Sequence, residues 1–183
     1  METTAAVPLR RDDAHRPYGA AVIDALQRAG LTVLTCDYGA DDDRDMCFGL
    51  AETLGGDQVE VGWSEVEGWS WVSWSEPRGS EPTGYGWFDL PPVPVPDAVA
   101  VAIRHRLGLA PVHAAPIWTP PPGHDTGTTS RPDSENNEAA DAALAVYLTH
   151  PAWTAGQPLS DAVADETPWS PGGSSGGASC MRP

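Results

Sequence analysis

The chain of 183 residues carries 26 acidic and 10 basic residues, every base an arginine, for a formal charge of -16. That balance disfavours direct binding to nucleic acid or to an anionic membrane, because little on the chain could neutralise a run of phosphates. The length suits one domain with extensions, and Cys36, Cys47 and Cys180 form neither a disulfide framework nor a zinc spacing, which points to a reducing cytoplasm.

Residues 1–14 are polar and aperiodic and are expected to be a flexible leader; no signal peptide is expected, and no apolar stretch is long enough for a membrane span. From Pro17 to Ala29 the apolar residues Tyr18, Ala21, Val22, Ala25 and Leu26 recur at helical spacing. Pro17 suits the first turn of this helix and Gly30 its stop. Leu31 to Cys36 is rich in β-branched residues and reads as a strand, Asp37 to Asp45 as an acidic loop, and Met46 to Ala51 as a second strand.

Leu54-Gly55-Gly56-Asp57 turns the chain into the stretch from Val59 to Trp74, which holds four of the eight tryptophans. Alternating aromatic and β-branched residues on either side of Glu65-Val66-Glu67-Gly68 predict a hairpin. Its register stays open. With a four-residue loop, Ser64 faces Trp69, and Val59, Val61, Trp63, Val72 and Trp74 share one face. With a five-residue loop, Trp63 faces Trp69, and the shared face becomes Val59, Val61, Trp63, Trp69 and Trp71. A slip of one residue exchanges the two faces.

Glu76 to Gly86 has the composition of a loop, and Tyr85 to Leu90 reads as an edge strand. Pro91 to Pro96 should run extended as a stiff spacer. Asp97 then caps a helix over Ala98 to Leu107, with Val99, Ala102, Ile103 and Leu107 as its stripe and Gly108 as its stop. Residues 110–183 hold 11 of the 19 prolines and few large aliphatic side chains, so a largely disordered tail is expected there. Within it, 135–149 has Ala140, Leu144, Tyr147 and Leu148 on one helical side; such a helix could dock on the domain or on a partner, although a transient surface helix is the simpler expectation. The fold class is α/β (α+β): a small acidic domain over 15–109 in which a helix, three to four antiparallel strands and a helix form a two-layer sandwich.

No catalytic constellation, cofactor or metal site emerges. Asp41, Asp43, Asp45 and Glu52 occupy positions of a calcium loop, but Met46 stands where that loop needs glycine, and strands flank it where helices should. Gly172 to Gly176 matches a nucleophile-elbow string only within low-complexity sequence. His15, His105, His113, His124 and His150 are scattered without ligand spacing. Cys36 and Cys47 could meet across adjacent strands, although buried thiols are the simpler expectation. A domain this poor in Phe, Leu and Ile needs tryptophan as core, yet either register leaves at least one large ring on the outer face. Trp69, Trp71 and Trp74, with Glu60, Glu65 and Glu67, are therefore the candidate interaction surface.

Several strings resemble a known family: Arg16-Pro17-Tyr18, a helix ending in Ala29-Gly-Leu-Thr-Val33, the loop with Arg44-Asp45, the hairpin Gly62-Trp-Ser-Glu-Val-Glu-Gly-Trp69, and a final helix led by Pro96-Asp97. Together they are similar to the actinobacterial domain of unknown function 6292 family over about His15 to Leu109. The resemblance implies a cytoplasmic protein of a GC-rich actinobacterium and implies no activity; the long tail departs from the short family pattern. The expected function is a non-catalytic protein-interaction module, with a protein partner and neither nucleic acid nor membrane. The alternatives are an acidic nucleic-acid-mimicking decoy for a basic protein and a small enzyme without a recognisable motif.

Overall fold

The computed structural model describes residues 13–39, 44–75, 81–112, 118–120 and 138–155. The leader through residue 12, the centre of the acidic loop with Asp41 and Asp43, and most of the tail lie outside the described residues. In chain order the elements are α1 (Arg16–Arg28), β1 (Val33–Gly39), β2 (Asp45–Leu54), β3 (Asp57–Ser64), β4 (Gly68–Trp74), β5 (Gly84–Trp87), α2 (Pro96–Arg106), α3 (Glu138–Ala145), a 3-10 turn (Val146–Thr149) and α4 (Pro151–Thr154). This is a mixed α+β fold.

Five strands, where three to four were expected, form one antiparallel sheet in the order of the sequence. The acidic stretch also departs from the loop expected of it. Asp37, Tyr38 and Gly39 extend β1 and pair with Cys47, Met46 and Asp45, because the ladder satisfies their backbone while Cys36 and Tyr38 alternate onto the apolar side. β2 likewise continues to the Gly55–Gly56 turn, where both glycines take positive φ.

The tryptophan hairpin settles into the register with Trp63 opposite Trp69. Ser64 pairs with Gly68, so the connection is Glu65 to Glu67, shorter than either loop considered. Gly68 makes this tight closure workable: its φ of 76° is left-handed, a conformation that costs other residues about 1–2 kcal/mol. The shared face is consequently Val59, Val61, Trp63, Trp69 and Trp71, and all five are buried. They join Met46, Phe48 and Leu50 of β2 with Tyr18, Val22 and Leu26 of α1 and Val99 and Ile103 of α2 in one core. Full burial of side chains this large contributes about 1.5–3 kcal/mol each.

The proline spacer accepts hydrogen bonds from that core. Trp63 Nε1 donates to the Pro92 carbonyl at 2.6 Å. Tyr18 Oη donates to the Pro94 carbonyl at 2.9 Å and accepts from Trp69 Nε1 at 3.2 Å. Prolines cannot donate, but their carbonyls are free to satisfy buried indole and phenol groups.

Both helix stops fall where the glycines predict. Leu31 N donates to Leu26 O and Gly30 N to Gln27 O, a Schellman closure that Gly108 repeats at the end of α2. The start of α2 differs from expectation. Val95 is the extended residue before it and Pro96 opens the first turn, which places Asp97 inside the helix, where it meets Arg28 of α1 at 2.9 Å.

The tail helix is not a surface element. Ala140, Ala143, Leu144 and Tyr147 are buried, and the last three belong to the main core; Leu148 points outward. The reason is aromatic and ionic complementarity that helical periodicity alone does not reveal. Tyr147 packs on Tyr18 at 4.9 Å between ring centroids and on Trp118 at 5.2 Å, and Trp118 meets His150 edge-on at 5.0 Å. His150 Nδ1 then accepts from Ala152 N, capping α4.

Candidate functional site

At the β5 edge the sequence alternates glycine and aromatic residues, Gly84-Tyr85-Gly86-Trp87, which puts both rings on one side of the strand and no side chain on the other. The bare side is covered by Trp71 of β4. A Cβ at Gly86 would stand 3.0 Å from Trp71 Nε1, and one at Gly84 would stand 3.2 Å from its outer ring carbons, so the indole needs both glycines in order to lie flat. The Arg106 guanidinium of α2 sits over that indole, 3.7 Å from its centre, in a cation–π contact.

The outward rings are open to solvent. Tyr85 is 66% exposed and Trp87 56%, and their centroids are 6.0 Å apart in an edge-on arrangement. On the helix side a cleft of about 720 Å³ separates β5 and the segment after it from α2; Trp71, Trp87, Phe88, Leu90, Val101 and Arg106 are among its lining residues. Val101 is itself 59% exposed. Asp89 and Asp97 place carboxylates in the lining, and His105 joins Arg106 on the α2 wall. Exposed aromatic rings beside an open groove with apolar walls and a charged rim are the composition of a binding surface for a larger molecule.

A second concentration of polar groups is buried. Arg44, which leads into β2, donates through Nε at 3.0 Å and Nη2 at 2.6 Å to Glu65 Oε2, while its backbone N–H donates to Oε1 at 3.0 Å. Arg44 Nη1 reaches Asp141 of α3 at 2.6 Å. Burial works against this guanidinium, yet Glu65 and Asp141 outweigh it and hold its pKa above the ordinary value. Close by, His15 is 1% exposed, stacks on Trp63 and tilts against Tyr38, and neither of its ring nitrogens has a hydrogen-bond partner. Burial, then Arg44 and Arg16, push its pKa down to about 4. Burial pushes the Tyr38 and Tyr147 hydroxyls up. This cluster clamps the hairpin turn and α3 together.

The residues singled out from sequence divide sharply. Trp69 and Trp71 are core, because the register with Trp63 opposite Trp69 places them on the helix side. Glu65 is consumed by Arg44, and Glu60 is buried on the other sheet face, where Cys47 Sγ donates to its Oε1 at 2.8 Å. Trp74 is half-buried and Glu67 exposed, so these two alone of the six remain at the surface. Cys36 and Cys47 do not meet: Cys36 pairs with Phe48, and Cys47 with Asp37, which puts the thiols on opposite faces. Of the calcium pattern, Glu52 accepts the Thr32 N–H and Asp45 opens β2. His113 and His124 lie outside the described residues, as do Cys180 and the elbow-like string.

Sequence reasoning missed Tyr85 and Trp87. The signal was there in the glycine–aromatic alternation, which fixes two rings on the face away from the glycines once the segment is read as a strand. Among the described residues no group of His, Cys, Asp and Glu could hold a metal ion, and no helix is long and apolar enough to cross a membrane. Comparison with protein-family models, curated proteins and solved structures finds no match.

Proposed function

We propose that this chain is a cytoplasmic, non-catalytic protein-interaction module, and that its contact surface is the aromatic edge built by β5 and α2. The carrying observation is the pair Tyr85 and Trp87, large rings that stand exposed side by side on a sheet edge, with Trp87 also bordering the cleft. Exposed Trp and Tyr anchors of this kind bury much area at small entropic cost when a partner arrives. A two-layer sandwich presents such an edge rigidly. Membership of the domain of unknown function 6292 family is part of the same proposal and brings no activity with it. The decoy reading draws less support, since burial withdraws Glu60 and Glu65 from the acidic surface it would display.

The test is affinity capture from native lysate with the wild type, Trp87→Ala and Trp74→Ala, followed by binding measurements on the purified partner. Trp87→Ala should keep the fold and lose the partner by about 2 kcal/mol or more, the cost typical of a hot-spot ring, while Trp74→Ala should retain it. A partner that binds all three equally removes this surface from consideration.

A further inference from the structure

We infer that β5 is an acceptor edge for strand addition, and that its occupant is an extended segment of a basic protein in which cationic and apolar residues alternate. This rests on the interaction reading above and specifies how the partner is held. The sheet ends at β5: among the described residues no strand pairs with its far side. A free edge offers a row of backbone donors and acceptors, and folds usually guard it with a charge, a proline or a bulge. β5 carries none of these; its one protection is its shortness, four residues of which two are glycines and two aromatics.

The surroundings have the two-sided shape that an added strand requires. Side chains of such a strand alternate between faces. Those on one side would enter the cleft of about 720 Å³ between β5 and α2, where Val101, Phe88 and Leu90 give an apolar lining. Those on the other would lie beside Tyr85 and Trp87, whose ring faces attract cations. Peptide recognition by strand addition takes its affinity from the main chain and its selectivity from these alternate contacts.

Charge chooses the occupant. Glu81 precedes β5 and Asp89 follows it, both exposed, so acids stand at either end of the edge on a chain of net charge -16. Arg106 on the cleft wall is held over Trp71, and Asp97 stands with His105 in the same lining. A second copy paired antiparallel would bring Glu81 of one chain toward Asp89 of the other, and two strongly acidic surfaces together. Like charges in register oppose that pairing, whereas a basic segment meets both acids favourably.

The probe is a synthetic octapeptide of alternating arginine and valine, offered to the full chain beside a glutamate–valine counterpart and an arginine–valine version N-methylated at every second amide on the edge-facing side. Tryptophan fluorescence reports binding, and amide hydrogen exchange reports where it occurs. The expected result is binding of the first peptide with slowed exchange confined to β5, at least ~10-fold weaker binding of the N-methylated peptide, and no binding of the acidic one. Loss of the interaction in Trp87→Ala should accompany it. Equal binding of the N-methylated peptide overturns strand addition while leaving the aromatic surface as the contact. No binding of the arginine–valine peptide, or protection outside β5, overturns the inference altogether and leaves the capture experiment to decide the interaction reading by itself.

Discussion

Trp63 stands directly opposite Trp69 across the β3–β4 ladder, and each indole sends its N–H to an acceptor outside the sheet, the Pro92 carbonyl and the Tyr18 hydroxyl. One cross-strand pair thus fixes both the proline segment and α1 on the same face. The two hydrogen bonds turn a nonspecific apolar layer into one with a defined lateral position.

Replacing Trp63 by phenylalanine tests that role. Trp63→Phe keeps an aromatic ring but leaves a small void and a carbonyl without its donor, and is expected to cost about 1–3 kcal/mol. Urea unfolding followed by circular dichroism checks it; a change below about 0.5 kcal/mol, the ordinary scale of a surface substitution, would show the indole N–H to be dispensable.

How legible was this in the sequence? The helical stripe of α1, the Gly30 and Gly108 stops and the Gly55–Gly56 turn follow from local chemistry, because their signals lie within a few residues of their effects. The hairpin register does not. It depends on whether Gly68 enters a left-handed turn, and on which face the helices cover, a long-range fact. Glu65 looks like one more solvated acid until Arg44, 21 residues earlier, is brought against it. Tyr147 reads as a weak helical stripe until Tyr18 supplies the ring it packs on.

The Arg44–Glu65 pair should be costly to halve and cheaper to remove whole. Both side chains are almost fully buried, so Arg44→Met leaves a carboxylate without its counter-ion and is expected to destabilise the fold by about 3–5 kcal/mol. In the double variant Arg44→Met/Glu65→Leu part of that loss should return, because the lone buried charge is gone although the backbone N–H of residue 44 loses its acceptor. Thermal and urea unfolding of the two variants decide it: equal destabilisation would mean that the pair contributes through its shape alone. Asp141→Asn, whose side chain is 40% exposed, should cost no more than about 1 kcal/mol.

Docking of the tail helix predicts a stability effect far along the chain from the sheet. Leu144 is fully buried in the common core, so Leu144→Ala should cost about 2–5 kcal/mol in a single cooperative transition. A helix that merely visited the surface would show almost no change on the same substitution. Leu148→Ala, at an exposed position on the adjoining turn, is the control and should be nearly neutral.

His15 makes stability depend on pH in a defined window. Its folded pKa of about 4 lies below the unfolded value of 6.5, so between those values the unfolded chain binds the proton more readily. The stabilising contribution is therefore fully present above pH 6.5 and is lost as pH falls toward 4. At 1.36 kcal/mol per unit, the whole loss is about 3 kcal/mol. The charges facing the ring are Arg44 and Arg16, which disfavour its protonation, and Asp13 and Glu65, which favour it; burial decides the sign. Burial also pushes the His150 pKa down, so part of the decline persists without His15. His15→Phe preserves an aromatic ring against Trp63 and has nothing to protonate. Urea unfolding at pH 7 and pH 5 should show a clear drop for the wild type and a much smaller one for the variant; equal drops would move the titration to another residue.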